Sequence, residues 1–150
     1  MDEKDFYRLL VKEVMERNLP LLARDAPLHE VARVVNKRQH AWVVESKEDR
    51  RLRGVITEKD LLDIVSPVPS KSYTTGTIRV KCLHHTELNR VEDFMSKPVV
   101  CCRPETTMEE ALRLLVERRI RRLAVAENDE IIGELNLSIV ISNYFKIDST

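Results

Sequence analysis

The sequence predicts an α/β (α+β) fold of two tandem repeats, each in the order strand-helix-strand-strand-helix. The first observation is an internal repeat at an offset of about 80 residues. The second is that each copy combines an apolar stripe at helical spacing with short β-branched runs bounded by turn residues. One copy of about 50 residues is too small to bury its own faces, so the two copies are expected to pack together.

Matching segments extend the repeat along most of the chain. Met15 and Met95 lie 80 residues apart, and the segment 41–45 matches the segment 123–127 at offset 82. Gly54 and Gly133 open further matching segments at offset 79. The changes in offset fall in predicted turns, where insertions are tolerated.

The helical pattern is clearest in the second copy. An apolar stripe runs along residues 108–116, and Thr107 with Glu110 forms a capping box at its start. The first copy repeats the stripe over residues 28–35, with Asp25 as the expected cap. A hairpin and a closing helix follow in each copy, and the closing helices are predicted at residues 58–65 and about 137–145.

Four segments describe the predicted organisation. A helix over about residues 4–17 precedes the repeats and is expected to cover a side of the module or a dimer interface. The linker opens with loop residues and contains a possible edge strand at 77–82. The predicted boundaries are 1–13 for the N-terminal helix, 14–65 for the first repeat, 66–90 for the linker and 91–150 for the second repeat.

Composition excludes several classes of protein. The 25 Lys and Arg residues balance the 25 Asp and Glu residues, so no global attraction to nucleic acid or to an anionic membrane is available. The N-terminus has no signal-peptide pattern, and no run approaches the roughly 18 apolar residues of a membrane span. The expected location is therefore cytoplasmic.

The sequence contains no recognisable catalytic set and no strong metal motif. No nucleophile with a base, no paired catalytic carboxylates and no glycine-rich loop is found, so neither an enzyme nor a required cofactor is predicted. Cys82, His84 and His85 lack a second well-spaced pair of zinc ligands. The adjacent Cys101 and Cys102 fit better as small buried residues of a strand, without a disulfide.

At this point the repeat resembles a known family. The segment Gly54-Val55-Ile56-Thr57-Glu58-Lys59-Asp60 resembles the Gly-h-x-Thr/Ser-x-x-Asp signature of the paired CBS domains, often called a Bateman module. The segments 40–45, 91–98 and 121–125 also resemble the family pattern, and the likeness covers roughly residues 14–65 and 91–145. It implies a pseudo-twofold pair with two clefts that bind adenosine-containing ligands such as AMP, ADP, ATP or S-adenosylmethionine.

The resemblance also implies roles for particular residues. In the family the signature Asp meets the ribose hydroxyls and the Thr lies near the phosphates, which implies these roles for Asp60 and Thr57. Main chain around the first strand, here Leu19 to Leu22 with Leu21 as the site residue, is implied to recognise adenine. The chemistry agrees, because a carboxylate can accept hydrogen bonds from a vicinal diol, and a helix start beside Lys59 suits an anion.

Two alternatives stay open in the first copy. Thr57 and Asp60 also form an ordinary capping box, which needs no ligand. His40 either reaches the ligand, as residues there do in some family members, or is an exposed turn histidine. Trp42 is expected in the core or an interface.

The second copy departs from the signature, since Asn136 and Ile139 replace Thr57 and Asp60. Isoleucine cannot accept a hydrogen bond from ribose, so at most one competent site per chain is expected. An arginine cluster lies in this copy, and three interpretations of it stay open. It forms a solvated face paired with Glu109, Glu110 and Glu117, or Arg121 or Arg122 faces a phosphate, or the cluster contacts nucleic acid. The cluster comprises Arg113, Arg118, Arg119, Arg121 and Arg122.

The sequence therefore predicts a regulatory or sensory module that binds an adenine nucleotide or related adenosyl ligand and acts as a homodimer. An unidentified effector protein is the further partner expected, whereas a membrane is not. The first alternative is a constitutive dimerisation or protein-interaction scaffold with vestigial clefts. The second, less favoured, is a nucleic-acid-associated factor that uses the arginine cluster.

Overall fold

The computed structural model describes residues 2–67 and 90–148, so the strand predicted at 77–82 lies outside the described residues. A short 3-10 turn, Val91–Asp93, precedes the second set of strands. In chain order the elements are α1 (Glu3–Arg8), α2 (Val11–Val14), β1 (Leu21–Ala23), α3 (Leu28–Arg38), β2 (His40–Val44), β3 (Leu52–Thr57), α4 (Glu58–Val65), β4 (Cys101–Cys102), α5 (Met108–Arg118), β5 (Arg122–Glu127), β6 (Glu130–Asn136) and α6 (Leu137–Phe145).

The chain divides into two compact units that cut across the sequence repeats. Unit 1 combines Met1–Leu19 with Val100–Thr150, and unit 2 is Pro20–Val99. Unit 2 contains the sheet β1-β2-β3, in which β1 runs parallel and β3 antiparallel to β2. Unit 1 contains the sheet β4-β5-β6 with the same arrangement. The predicted α+β fold with strand-helix-strand-strand-helix order in each copy is confirmed.

One face of each sheet packs against the helices of its own unit. In unit 2 the strand residues Leu22, Val43 and Ile56 form a core with Val31 of α3 and Ile64 of α4. Side chains alternate between the two faces of a strand, so the neighbouring strand residues point to the opposite face. We call this opposite face of each sheet its outer face.

The N-terminal segment differs from the single helix predicted over about residues 4–17. It forms two short helices, because the chain is extended at Leu9 and Leu10. There the backbone bonds to the loop before α5: the N–H of Val11 donates to the Thr106 carbonyl at 2.8 Å, and the N–H of Met108 donates to the Leu9 carbonyl at 2.7 Å. Those bonds replace the intrahelical ones that a continuous helix would make.

The same segment belongs to the core of unit 1 and does not merely cover a side of it. Phe6, Val11 and Met15 are buried in one cluster with the β5 residues Leu123 and Val125. Removing this segment would expose the core of unit 1.

The two repeats exchange the segments that open them. Glu16 exchanges backbone hydrogen bonds with Glu134 in unit 1, at 2.9 and 3.0 Å, and Ser96 does the same with Val55 in unit 2, at 2.8 and 3.1 Å. Glycine precedes each hairpin partner, and a Cβ there would lie 3.2 Å from the Glu16 carbonyl oxygen in unit 1 and 3.1 Å from that of Ser96 in unit 2. The glycines, Gly133 and Gly54, therefore permit a close approach of backbone.

The helix starts agree only in part with the predicted caps. Thr107 caps α5, since its Oγ1 accepts a hydrogen bond from the N–H of Glu110 at 3.2 Å. The predicted cap of α3, Asp25, is wrong, because Pro27 occupies the N-cap position. Asp25 then precedes the cap by two residues and is too early to serve the first amides of the helix.

Candidate ligand-binding site

The outer face of the unit 2 sheet brings together residues that are distant in sequence. His40 pairs with Thr57 across β2 and β3, and Leu21 pairs with Trp42 across β1 and β2. Paired residues share a face of the sheet, and so do residues two apart on one strand. Leu21, His40, Trp42 and Thr57 therefore share the outer face, next to the start of α4.

Asp60 caps the start of α4 by accepting from its N-cap residue, Thr57. Asp60 Oδ2 accepts from the backbone N–H of Thr57 at 2.9 Å and lies 3.4 Å from the Thr57 hydroxyl. Within the described residues no hydrogen bond reaches Asp60 Oδ1. The second carboxylate oxygen is thus available to a donor from outside the chain.

The environment of Asp60 disfavours its charge. Burial raises the pKa of this carboxyl above its ordinary value of 3.8, although the two hydrogen bonds from Thr57 lower it. The neighbouring Asp63 also raises this pKa, and Lys59 lowers it by the smallest contribution. A carboxylate that is partly desolvated and incompletely hydrogen-bonded gains more than a solvated one from new donors.

His40 is buried at the beginning of β2, with 4% of its surface exposed, so the exposed turn histidine considered for this position is wrong. Gln39 ends α3 in the left-handed conformation, with φ of 70°, and places His40 directly in the strand. The His40 ring packs edge-on against Trp42, and its Nδ1 lies 3.0 Å from the Arg38 carbonyl oxygen. The ring is therefore held in one orientation. Trp42 is buried too, as expected for a residue of the core or of an interface.

The remaining predicted site residues are less closely associated with this face. Leu21 is half-buried in β1, and Lys59 is exposed on the first turn of α4. Arg121 and Arg122 belong to unit 1, where Arg122 begins β5 and pairs with Asn136. The structure thus brings Leu21, His40, Thr57, Lys59 and Asp60 together in one unit and places the two arginines in the other.

Unit 1 carries different chemistry at the corresponding positions. Asn136 caps α6 alone, since its Oδ1 accepts from the N–H of Ile139 at 2.9 Å. The Ile139 side chain packs against the core of unit 1. The sequence predicted that this position lacks an acceptor in unit 1, and the structure shows that its side chain packs against the core instead.

Sequence reasoning missed a buried carboxylate on the outer face of unit 1. Glu134 is 1% exposed, pairs with Ala124 in the sheet, and lies 3.5 Å from the Asn136 side-chain amide. Unit 2 has Val55 and Trp42 at these paired positions. A charged residue inside the apolar run 131–135 was the available signal.

The adjacent cysteines are only partly as predicted. Cys102 is buried, and burial raises the pKa of its thiol to about 11, but Cys101 is exposed. The two side chains point to opposite faces because they follow one another on β4. In residues 2–67 and 90–148 no group of three or more His, Cys, Asp or Glu side chains is arranged to hold a metal ion.

The arginine cluster is solvated but lacks the predicted ion pairs. Arg118 ends α5, and Arg119 follows it in the left-handed conformation, with both side chains exposed. Within the described part of the chain no ion pair joins the cluster to Glu109, Glu110 or Glu117. In that same part of the chain, no helix is both long and apolar enough to cross a bilayer.

Curated relatives share this chain's sequence at a low level. It is 23% identical over 138 residues to the uncharacterised protein MJ1426 of Methanocaldococcus jannaschii, with 81% of this chain and 82% of that protein covered. It is 24% identical over 141 residues to an uncharacterised 33.4 kDa protein of the ribosomal RNA operon of Thermofilum pendens, covering 92% of this chain. The match covers 41% of that longer protein.

Solved structures share its fold. The crystal structure of CBSX2 in complex with AMP matches with a TM-score of 0.73 at 23% identity, covering 92% of this chain and 97% of that one. The CBS domain pair of MJ0100, in complex with 5′-methylthioadenosine and S-adenosyl-L-methionine, matches with a TM-score of 0.64 at 17% identity, covering 92% and 96%. The family model of the CBS domain matches residues 11–67 and again 91–145. The chain therefore belongs to the CBS-domain family and carries two copies of the domain.

Proposed function

We propose that the chain is a regulatory module that binds an adenosine-containing ligand on the outer face of unit 2. Asp60 receives the ribose hydroxyls, Thr57 and Lys59 lie on the phosphate side, and the β1 backbone at Leu21 lies beside the base. Two solved structures of similar fold hold AMP, S-adenosylmethionine or methylthioadenosine, which supports this ligand class. The module has no catalytic role in this proposal.

The observation that carries the proposal is the state of Asp60. One oxygen already caps α4, whereas hydrogen bonds within the described residues leave the other unused, and burial raises its pKa. A ribose diol supplies two donors, and hydrogen bonds to a charged acceptor are each worth about 1.5–3 kcal/mol. Such donors would offset the desolvation that the fold imposes on this carboxylate.

His40 supports the site by position. It pairs with Thr57 in the sheet, and its ring orientation is fixed by Trp42 and by the Arg38 carbonyl. A buried, oriented ring beside the helix start forms a rigid wall of the site, and rigid walls reduce the entropy lost on binding.

Unit 1 is not proposed to bind the same ligand in the same way. Ile139 offers no acceptor, and its side chain is engaged in the core. We propose one ribose-binding position per chain, with Arg121 and Arg122 in unit 1 as candidates for contact with a phosphate.

Isothermal titration calorimetry with AMP, ATP and S-adenosylmethionine tests the proposal. At least one ligand should bind, and Asp60→Asn should weaken it by about tenfold or more because a charged acceptor is lost. The matched control is Glu58→Gln, which removes an exposed carboxylate from the same helical turn and should change affinity by less than about threefold. Absence of binding by all three ligands would leave the scaffold interpretation, and equal effects of the two variants would refute the site.

Ligand occupancy is proposed to act through a homodimer and an effector protein. A ligand shifts the module only if it binds one arrangement better than another. Light scattering of the free and liganded protein, with the radius of gyration from small-angle X-ray scattering, would detect a change of assembly or of arrangement. An unchanged scattering profile at saturating ligand would contradict this mode of action.

A further inference from the structure

Charged side chains form a row where the opening segment of the second repeat meets the sheet of unit 2. Arg24 lies between two carboxylates: its Nη1 donates to Glu92 Oε2 at 3.3 Å, and its Nε lies 3.2 Å from Glu45 Oε1. Arg53 Nε lies 3.5 Å from Glu45 Oε2. Arg90 Nη1 lies 3.8 Å from Glu92 Oε1. We call this alternating series the ionic row, and its order is Arg53, Glu45, Arg24, Glu92 and Arg90.

The ionic row spans the contact between the two repeats in unit 2. Arg24 and Glu45 belong to the first repeat, whereas Glu92 belongs to the opening segment of the second. Backbone hydrogen bonds hold the two sides together, since the N–H of Glu92 donates to the Arg24 carbonyl at 3.2 Å. The charges therefore face one another at a fixed position of the exchanged segment.

The corresponding contact of unit 1 has the same backbone bond and different charges. There the N–H of Lys12 donates to the Pro104 carbonyl at 3.0 Å, as the N–H of Glu92 does to Arg24 in unit 2. Lys12 thus occupies the position of Glu92, and Pro104 that of Arg24. Within the described residues no ion pair involves Lys12.

These charges discriminate between the two opening segments at unit 2. If the opening segment of the first repeat were docked there, Lys12 would lie against Arg24, and two cations would be adjacent in the row. Like charges that face one another cost free energy and opposite charges gain it, so the difference between the two segments exceeds the value of one contact. In unit 1 the uncharged Pro104 side chain favours neither segment.

We propose that the ionic row assigns the opening segments to their units, with Arg24 selecting the segment that carries Glu92 against the one that carries Lys12. The backbone bonds and the methionine contact at the glycine are alike in the two units, and the row adds a difference in charge to them. The sequence of the opening segments thereby encodes the exchange between the repeats.

The strength of the row sets the size of the expected preference. Its side chains are between 26% and 60% exposed, and one ion pair at such exposure shifts an equilibrium constant by at most about fivefold. Several contacts act together in the row, and the wrong segment replaces an attraction by a repulsion. We therefore expect a preference of about tenfold or more.

Side-chain size is the alternative basis for the choice. Phe94 is buried in the core of unit 2, whereas the opening segment of the first repeat has Val14 at this position. A preference that depends on the volume of a side chain does not change when charges are exchanged or when salt is added. Charge variants and salt therefore separate the two explanations.

A competition between two disulfides reports which segment docks on unit 2. Val55 and Ser96 exchange both backbone hydrogen bonds, and the Cα atoms of such a pair are about 5.5 Å apart, which suits a disulfide. Glu16 is the equivalent of Ser96 in the first opening segment. A chain with Glu16→Cys, Val55→Cys, Ser96→Cys, Cys82→Ser and Cys101→Ser is refolded in a glutathione redox buffer. Mass spectrometry of the single-chain band then counts the links 55–96 and 16–55.

The ratio of the two links decides the proposal. With the natural charges, the link 55–96 should exceed the link 16–55 by about tenfold or more. Lys12→Glu with Glu92→Lys exchanges the charges and should lower the ratio at least about fivefold. Adding Arg24→Glu should restore the ratio, because opposite charges then face one another in the observed pairing. A ratio that does not respond to the exchange of charges would overturn the proposal and leave the size of Phe94 as the basis of the choice.

Single charge reversals provide a second readout, and both links or both variants are compared in the same background. Glu92→Lys should lower the equilibrium constant for folding at least about fivefold in urea denaturation, because Arg24 then faces a cation. The matched control is Lys12→Glu at the equivalent position of the other segment, which should change this constant less than about threefold. At 1 M NaCl, where the screening length is about 3 Å, the two variants should become similar. Equal losses for both variants at low salt would contradict the selection by charge.

Discussion

Unit 2 begins α4 with Thr57 and Asp60, whereas unit 1 begins α6 with Asn136 and Ile139. Both helices begin directly after the last strand of their sheet, but the caps differ: Asn136 Oδ1 accepts from the N–H of Ile139 in unit 1, whereas in unit 2 the Asp60 carboxylate accepts from the N–H of Thr57. In unit 1 this single cap is sufficient to start a helix. A helix at this position can therefore begin without a carboxylate in its first turn.

The units are much more alike at the hairpin glycines, where the opening segment of the other repeat packs against the sheet. In each, a methionine and the following residue from the opening segment of the other repeat pack against a buried glycine of the hairpin, Gly133 in unit 1 and Gly54 in unit 2. The backbone approach that builds the fold is thus present in both units, while the side chains of the outer face have diverged.

The largest expected effect comes from the segments that complete each unit. Phe6→Ala in unit 1 and Phe94→Ala in unit 2 each remove a buried ring and should lower the free energy of unfolding by about 3–5 kcal/mol. Hydrogen exchange should accelerate mainly in β4–β6 for the first variant and mainly in β1–β3 for the second. An N-terminal helix that only covered a side of the module would leave exchange in β4–β6 unchanged.

A smaller loss of stability is expected from substitutions at the two hairpin glycines. Gly54→Ala and Gly133→Ala each place a methyl group against a methionine and a backbone carbonyl. Each should lower the free energy of unfolding by about 1–3 kcal/mol, measured by urea denaturation, because added volume in a packed site forces neighbours to shift. The two losses should be similar. A loss of stability at one glycine without a loss at the other would show that the two packing sites are not equivalent.

The smallest effect concerns the pH dependence of stability at Asp60. Its pKa in the folded chain is raised above the ordinary 3.8. Between pH 3.8 and that raised pKa, the folded state holds a proton that the unfolded state has released. The free energy of unfolding therefore falls as pH rises through this window, and the ionised carboxylate costs stability above it. Asp60→Asn should be as stable as the wild type or slightly more stable at pH 7, by less than about 1 kcal/mol, because the group is partly solvated.

Below the ordinary pKa of 3.8 the wild type carries a protonated Asp60 in both states, so the advantage of the Asn variant should disappear. Urea denaturation at the two pH values measures the difference. A variant that is clearly less stable at neutral pH would indicate that Asp60 serves mainly as a cap. Loss of ligand binding without loss of stability is the outcome that separates function from folding at this residue.

Much of the candidate site could be predicted from local sequence. Thr57 and Asp60 lie within four consecutive residues at the start of one helix, so their relative position follows from the helix start alone. His40 could not be placed in the same way, because its burial depends on the left-handed Gln39 and on Trp42. Glu134 escaped notice since its burial depends on pairing with a distant strand.

The sequence by itself determined the repeat, the element order and the loss of the carboxylate from the second copy, because these depend on residue type and short-range periodicity. Only the tertiary structure decided that the opening segments are exchanged, so that Met15 serves unit 1 and Met95 serves unit 2. The sequence spacing of a segment does not say which of two similar hairpins it will pack against. That choice is made by long-range backbone hydrogen bonds and by the space that each glycine leaves, and both exist only in the folded chain.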